Sequence, residues 1–255
     1  MSPKNSSGIY TNLPADISDS TVIQMNSSEK IFHQPMPAFY EKIIRTIPNR
    51  PAKLVSFLPL DRKNTRITKR SGDIFLSVVV ILGILSWLLP ILALLIKLDS
   101  KGPVFFLQKR SGKNKKLFTC IKFRSMVVNT ESDMKAATPG DERITRLGKF
   151  LRNHYIDELP QFFNVLMGDM SLIGPRPHMI NDNLKYQDDI HHYDFRYKVK
   201  PGITGLAQVL GFAGPVDDIQ KMKDRVQLDI FYIRHWSFML DMKIILRTFF
   251  RMVRF

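Results

Sequence analysis

The chain has 255 residues, 44% hydrophobic and 24% charged, enough for one good-sized folded domain with appendages. Its 38 basic residues against 23 acidic ones leave a net charge of +15, which points to a polyanionic partner: nucleic acid, an anionic membrane surface or a phosphate-rich substrate. A single cysteine, Cys120, excludes an intramolecular disulfide and a cysteine-rich zinc site.

Residues 1–65 read as a polar extension. Ser, Asn and Asp dominate as far as Lys30, without the apolar segment of a cleavable signal. Pro35, Pro37, Pro48, Pro51 and Pro59 then interrupt any regular pattern. The expectation is disorder at the start, followed by an irregular arm docked on the main body.

Residues 74–96 carry no charge in 23 positions, roughly 35 Å of helix against a bilayer core of about 30 Å. Pro90 lies inside the run and should kink it. Both flanks are basic, with Arg62, Lys63, Arg66, Lys69 and Arg70 before, and Lys97, Lys101, Lys109 and Arg110 after. A spanning helix concentrates positive charge on one side. The pattern therefore favours a re-entrant helix over 66–98 that bends at Pro90 and leaves by the face it entered. Ser86, four residues before the proline, is placed to bond a carbonyl that Pro90 frees.

Residues 99–255 read as a folded domain. Two strands, 104–109 and 117–123, flank the turn Ser111-Gly112-Lys113-Asn114. Alternation puts Lys122 and Arg124 on one face, which is either a solvated surface or a pair of cations aimed at phosphate; periodicity does not choose. A polar helix is expected over 129–137. Beyond it Arg143, Arg146, Lys149 and Arg152 recur every third residue, as along one helical face.

Asp157 and Glu158 then precede apolar positions 159, 162, 163 and 166, the spacing of an amphipathic helix with the acidic pair in its first turn. Capping alone explains such a pair as well as chemistry does. Adjacent His191 and His192 lack metal-ligand spacing. Neither a dinucleotide-binding glycine fingerprint nor a P-loop is present. From Val226 to the end a single helix is expected, with Lys243, Arg247, Arg251 and Arg254 on one face, as in an interfacial helix.

Paired carboxylates among cations suit phosphate chemistry: one attacks phosphorus and its neighbour holds Mg²⁺, while Lys and Arg neutralise the transferred group. Six ordered motifs sharpen this reading: Lys69-Arg70-x-x-Asp73-Ile74; residues 98–106, Leu-Asp-Ser-Lys-Gly-Pro-Val-Phe-Phe; residues 122–126, Lys-Phe-Arg-Ser-Met; residues 157–161, Asp-Glu-Leu-Pro-Gln; residues 171–177, Ser-Leu-Ile-Gly-Pro-Arg-Pro; and residues 201–205, Pro-Gly-Ile-Thr-Gly. In order and spacing they resemble the bacterial sugar transferase family, the monotopic polyprenyl-phosphate phosphoglycosyltransferases, over some two thirds of the chain, about Lys69 to Leu246.

The resemblance implies Mg²⁺-dependent transfer of a sugar 1-phosphate from a UDP-sugar to undecaprenyl phosphate, through a covalent intermediate, at the cytoplasmic face of the bacterial inner membrane. It makes Asp157 the nucleophile and Glu158 its metal-linked companion, and it puts Lys122, Arg124, Arg152, Arg176 and Asp229 at the substrate phosphates. The expected fold is α+β and mostly helical: a monotopic membrane protein with a Pro90-kinked re-entrant helix, a short β-hairpin and interfacial amphipathic helices. Membrane phospholipids are expected partners, nucleic acid is not, and homo-oligomerisation is open. Leu89 stands before Pro90 where many members have serine, and the expectation is a small form, with the polar extension in the place of the four-helix membrane domain that larger members carry. The competing readings are a membrane-tethered basic protein that binds nucleic acid or lipid, and an inactive scaffold relative.

Overall fold

A computed structural model describes residues 58–132, 137–138, 140–214, 216 and 218–253. The polar extension up to residue 57 lies outside the described residues, as do 133–136 of the expected polar helix. In the described part of that segment Asn129 forms a turn, its Oδ1 accepting from the backbone N–H of Glu131 at 3.0 Å and of Ser132 at 2.8 Å.

Leu58 and Leu60 are buried in the main core, and helix α1 follows over Lys63–Asp99, 37 residues long. It is the one described helix long and apolar enough to cross a membrane. A π turn at Ile81–Leu85 interrupts it ahead of Pro90. There the Ser86 N–H reaches back to Ile81 O. The Ser86 hydroxyl supplies Leu82 O with a donor at 2.6 Å, so it serves the π turn and not, as expected, a carbonyl freed by Pro90. The Trp87 indole does the same for Gly83 O at 2.9 Å.

α1 stays against the body along its length. Lys69 pairs with Asp241 at 2.8 Å. Arg70 donates to Val165 O at 2.6 Å and Leu166 O at 2.9 Å, and Asp73 accepts from the Leu172 N–H at 3.0 Å. The three polar residues of the Lys69-Arg70-x-x-Asp73 motif are thus bolts between α1 and the body. Further on, Leu85, Leu92 and Ile96 are buried with Phe123 and Leu151. The opposite face is apolar and bare: Phe75 is 70% exposed, Leu82 68% and Leu98 75%.

Strands β1 (Phe105–Ser111) and β2 (Leu117–Phe123) form the expected antiparallel hairpin, with Phe105 opposite Phe123 and Gln108 opposite Cys120. Thr145 caps α2 (Arg146–Asn153) by accepting from the Gly148 N–H at 2.9 Å. Arg143 precedes this helix and pairs with Asp141 at 2.6 Å, so it does not continue the basic helical row. α3 (Gln161–Met167) is pinned to β2 by buried Asn164, whose Oδ1 accepts from Ile121 N–H at 2.9 Å and whose Nδ2 donates to Thr119 O at 2.7 Å.

β3 (Ser171–Ile173) and β4 (Gly202–Thr204) are a short parallel pair. Around them lie α4 (Ile180–Tyr186), α5 (Leu206–Val209), α6 (Ile219–Arg234) and α7 (Phe238–Val253). The single C-terminal helix expected from Val226 is therefore two helices. Ser237 breaks it by acting as a new cap, its Oγ accepting from the Leu240 N–H at 3.2 Å, and Trp236 Nε1 fixes the corner by donating to Asp241 at 2.9 Å.

The two strands after α3 approach so closely that only glycine fits. A Cβ on Gly202 would lie 2.1 Å from Gly174 N, and one on Gly205 2.2 Å from Gly174 O. Gly202→Ala should therefore destabilise by roughly 3 kcal/mol, because backbone is what must move. Gly72→Ala, where nothing lies within 4 Å, should be neutral or stabilising by up to about 1 kcal/mol. Thermal unfolding of the two variants in the same detergent checks this; equal midpoints would contradict the close approach.

Candidate functional site

The acidic pair does not open α3. Asp157 and Glu158 lie in a separate 3-10 turn, Ile156–Glu158, and α3 begins at Gln161, after Pro160. Tyr155, with φ 57, turns the chain back from α2 into this turn. Both acids are largely buried, at 7% and 9% exposure. Their role is then set by what faces them, since a buried carboxylate stays ionised only if cations or donors offset its lost hydration.

Glu158 has such partners. Lys122 Nζ reaches its Oε1 at 2.7 Å; Arg176 donates through Nη2 to Oε1 at 2.7 Å and through Nη1 to Oε2 at 3.3 Å. One carboxylate thereby joins β2, the acidic turn and the Pro175-Arg176-Pro177 segment. Burial works against ionisation, but Arg176 and Lys122 outweigh it and hold Glu158 below the usual carboxylate range. The geometry of Arg176 is itself prepared by the β3–β4 contact, where the Gly174 N–H donates to Thr204 O at 3.0 Å and the Gly202 N–H to Pro175 O at 2.9 Å.

Asp157 has no hydrogen-bond partner among the described residues. Burial raises its carboxyl above the ordinary value, opposed by the nearby charges of Lys122, Arg152 and Arg176 and reinforced by Glu158. Arg152 is steadied by Ser125, to whose Oγ it donates at 3.2 Å. Two adjacent acids are thus driven apart: one neutralised by two direct ion pairs, the other surrounded by cations yet unbonded.

Arg124 and Asp229 stand differently. The Nη2 of Arg124 donates to Ile96 O at 3.1 Å and Ser100 O at 2.5 Å, closing the C-terminal end of α1. Gly102, at φ +134, is required beside it, since a Cβ there would lie 2.0 Å from Arg124 Nη1. Asp229 is buried on α6 and pairs with Arg196 at 2.9 Å. Arg196 in turn donates to Arg176 O at 2.7 Å and contacts the His178 ring. Asp229 therefore supports the Arg176 segment from behind.

A cavity of about 1230 Å³ joins these groups. Lys122, Arg124, Arg152, Asp157, Glu158 and Arg176 line it. One wall is apolar, from Leu76 and Val80 of α1, Ile203 of β4, and Ile245 and Phe249 of α7. Another is polar, with Gln108, Arg110, His178, Asp182 and Arg225. Sequence reasoning missed Arg110, Arg196 and Arg225. Gln108 and Arg110 share a strand face, which alternation makes visible; Arg196 and Arg225 carry no such signal.

The chain matches the family model described as bacterial sugar transferase over residues 64–255. It is 49% identical over 187 residues, 72% of its length, to the UDP-glucose:undecaprenyl-phosphate glucose-1-phosphate transferase of Klebsiella pneumoniae, covering 40% of that protein. It is 43% identical over 191 residues, 74% of its length, to the protein of the same name from Caulobacter vibrioides, covering 71% of it. To the UDP-N-acetylgalactosamine-undecaprenyl-phosphate N-acetylgalactosaminephosphotransferase of Aeromonas hydrophila it is 46% identical over 182 residues, 71% of this chain and 42% of that one. The chain spans about 40% of the length of the first of these relatives. A family match that takes in α1, the hairpin, the acidic turn and the Pro-Arg-Pro segment together leaves one assignment: the chain belongs to the bacterial sugar transferase family.

Proposed function

We propose that this protein transfers a sugar 1-phosphate from a UDP-sugar to undecaprenyl phosphate, the first membrane step in assembling an exopolysaccharide, capsule, O-antigen or glycoprotein glycan. The observation that carries the reading is the asymmetry of the acidic pair: Asp157 unbonded beside a Glu158 clamped by Lys122 and Arg176. An Asp157 oxygen attacks the sugar-bearing phosphorus, and the phosphoanhydride bond breaks with its electron pair leaving on UMP. An oxygen of the undecaprenyl phosphate then attacks the same phosphorus, and the bond to Asp157 breaks, restoring the carboxylate. Lys122, Arg152 and Arg176 neutralise charge on the transferred phosphoryl group. UDP-glucose is the first donor to test, because it is named for the relatives at 49% and 43% identity.

Among the described residues no cluster of three or more His, Cys, Asp or Glu side chains is placed to hold a metal. Mg²⁺ nevertheless suits the donor set, since it is commonly held by one or two carboxylates with substrate phosphates and water completing its shell. Glu158 would hold it, and bound Mg²⁺ would offset charge on the diphosphate. Lys122 and Arg176 keep Glu158 ionised and ready for it.

We also infer that the protein sits on the cytoplasmic face of the bacterial inner membrane, with α1 dipping into the lipid and returning. Contacts of α1 with one body at Lys69–Asp73, at Leu85 and at Ile96 support that reading, because a helix crossing alone would leave the body behind. The apolar cavity wall, shared by α1 and α7, suits the polyprenyl chain. A membrane-tethered basic binding protein or an inactive scaffold leaves the unbonded, cation-ringed Asp157 without a task.

Asp157→Asn should lower UMP release from UDP-glucose by about a thousandfold or more; turnover within tenfold of the parent would remove Asp157 as nucleophile. The attacking form is the carboxylate, and burial pushes its pKa up to about 6, so the parent's UMP-release rate should fall as pH drops through about 6. A rate flat from pH 7 to the ordinary carboxylate value of 3.8 would contradict the buried environment. For the membrane arrangement, tags at residues 1 and 255 should both label from the cytoplasmic side of inverted and sealed vesicles. Labelling from opposite sides would establish a full span.

A further inference from the structure

The reaction as written leaves two cations on the polar wall without a task. Arg110 is held in place: its Nε donates to Gln108 Oε1 at 2.9 Å, its Nη2 bonds the same oxygen, and its Nη1 donates to Pro177 O at 3.1 Å. Gln108 is itself anchored, donating to Ser132 O at 3.0 Å. Arg225, on α6, is only 6% exposed. Its Nη2 donates to Gly214 O at 2.8 Å, and its Nε has no hydrogen-bond partner among the described residues.

Neither guanidinium has an ion pair among the described residues. Glu158 is engaged by Lys122 and Arg176 and Asp229 by Arg196, while Asp182, on the same wall, acts on both guanidinium groups through space without an ion pair to either. A buried cation without a counter-ion is costly, and buried Arg225 with half-buried Arg110 on one cavity wall make a place where an anion is favoured. Burial and the nearby charge of Arg196 pull the Arg225 guanidinium down to about 10, in keeping with a cation that lacks its partner. His178 does not compete for this part: burial, with Arg196 beside it, holds it well below its ordinary value, so the ring is neutral.

Resting on the reading above, the donor brings two phosphates, and they need different surroundings. The transferred one must sit over Asp157, within reach of Lys122 and Arg152. The other leaves as a nucleoside monophosphate and gains charge when the anhydride bond breaks. Arg110 bonds the carbonyl of Pro177, the residue after Arg176, which bonds Glu158, and Arg225 lines the same cavity, so both cations share the space of the acidic pair. We infer that Arg110 and Arg225 form the leaving-group subsite, binding the phosphate of the departing nucleoside monophosphate through their free N–H groups.

The test compares UMP with uridine, which differ only in that phosphate, by equilibrium binding to the purified full chain. Wild-type protein should prefer UMP strongly. Arg225→Gln and Arg110→Gln should each reduce the UMP-to-uridine affinity ratio by at least about tenfold while leaving uridine affinity unchanged. The charge-retaining Arg225→Lys should recover part of the ratio. If Arg225→Gln loses both ligands together, Arg225→Lys decides: a recovered UMP preference supports the subsite, and its absence overturns it. An unchanged ratio in the Gln variants of a chain that still releases UMP from UDP-glucose overturns this assignment alone. Wild-type protein that binds no UMP overturns it together with the donor class.

Discussion

The structure depends on keeping Glu158 ionised inside the protein. A carboxylate moved out of water is costly unless opposite charge comes to it, and here that charge arrives from β2 as Lys122 and from the Pro-Arg-Pro segment as Arg176. Because the three groups come from separate stretches of chain, the clamp also fixes where those stretches lie. Its second effect falls on the neighbour. Lys122 and Arg176 are engaged with Glu158, so they shape the field at Asp157 without bonding it. One carboxylate is thereby paired while the other, beside it, stays unbonded.

Much of the remaining architecture serves to hold that clamp. Gly174, Gly202 and Gly205 let β3 and β4 approach more closely than any side chain permits, and this contact sets the backbone on both sides of Pro175. Arg196, neutralised by Asp229, holds the carbonyl of Arg176 from the opposite side. Asn164 ties α3 to the strand that carries Lys122. The motif residues Lys69, Arg70 and Asp73 fasten α1 to the same body, so the long apolar face and the acidic site keep a fixed relation. For the acceptor proposed above, with a lipid tail and a phosphate head, that relation is the functional requirement.

The parts legible in the sequence are those with a local cause. The hairpin follows from β-forming runs around a Gly-Lys-Asn turn, the long helix from an uncharged stretch, and the grouping of the acidic pair, Lys122, Arg152 and Arg176 from the family resemblance that the ordered motifs carry. What was misread turns on partners that periodicity does not specify. The apolar spacing after Asp157 is helical, but Pro160 delays the helix to Gln161 and gives the acids a turn of their own. Strand alternation put Lys122 and Arg124 on one face; it did not reveal that one meets Glu158 and the other the last carbonyls of α1. The break at Ser237 is hidden because no Pro or Gly marks it, and the work of Asp229 because its partner Arg196 lies in a short 3-10 helix far from it in sequence.

The central claim is the division of labour between two neighbouring carboxylates. It is tested most directly by incubating the purified protein with UDP-glucose and no acceptor, then mapping the phosphosugar adduct by peptide mass spectrometry. The account predicts an adduct on Asp157 and none on Glu158, formed in step with UMP release and lost when undecaprenyl phosphate is added. An adduct on Glu158, or UMP release that requires the acceptor and leaves the protein unmodified, would contradict it.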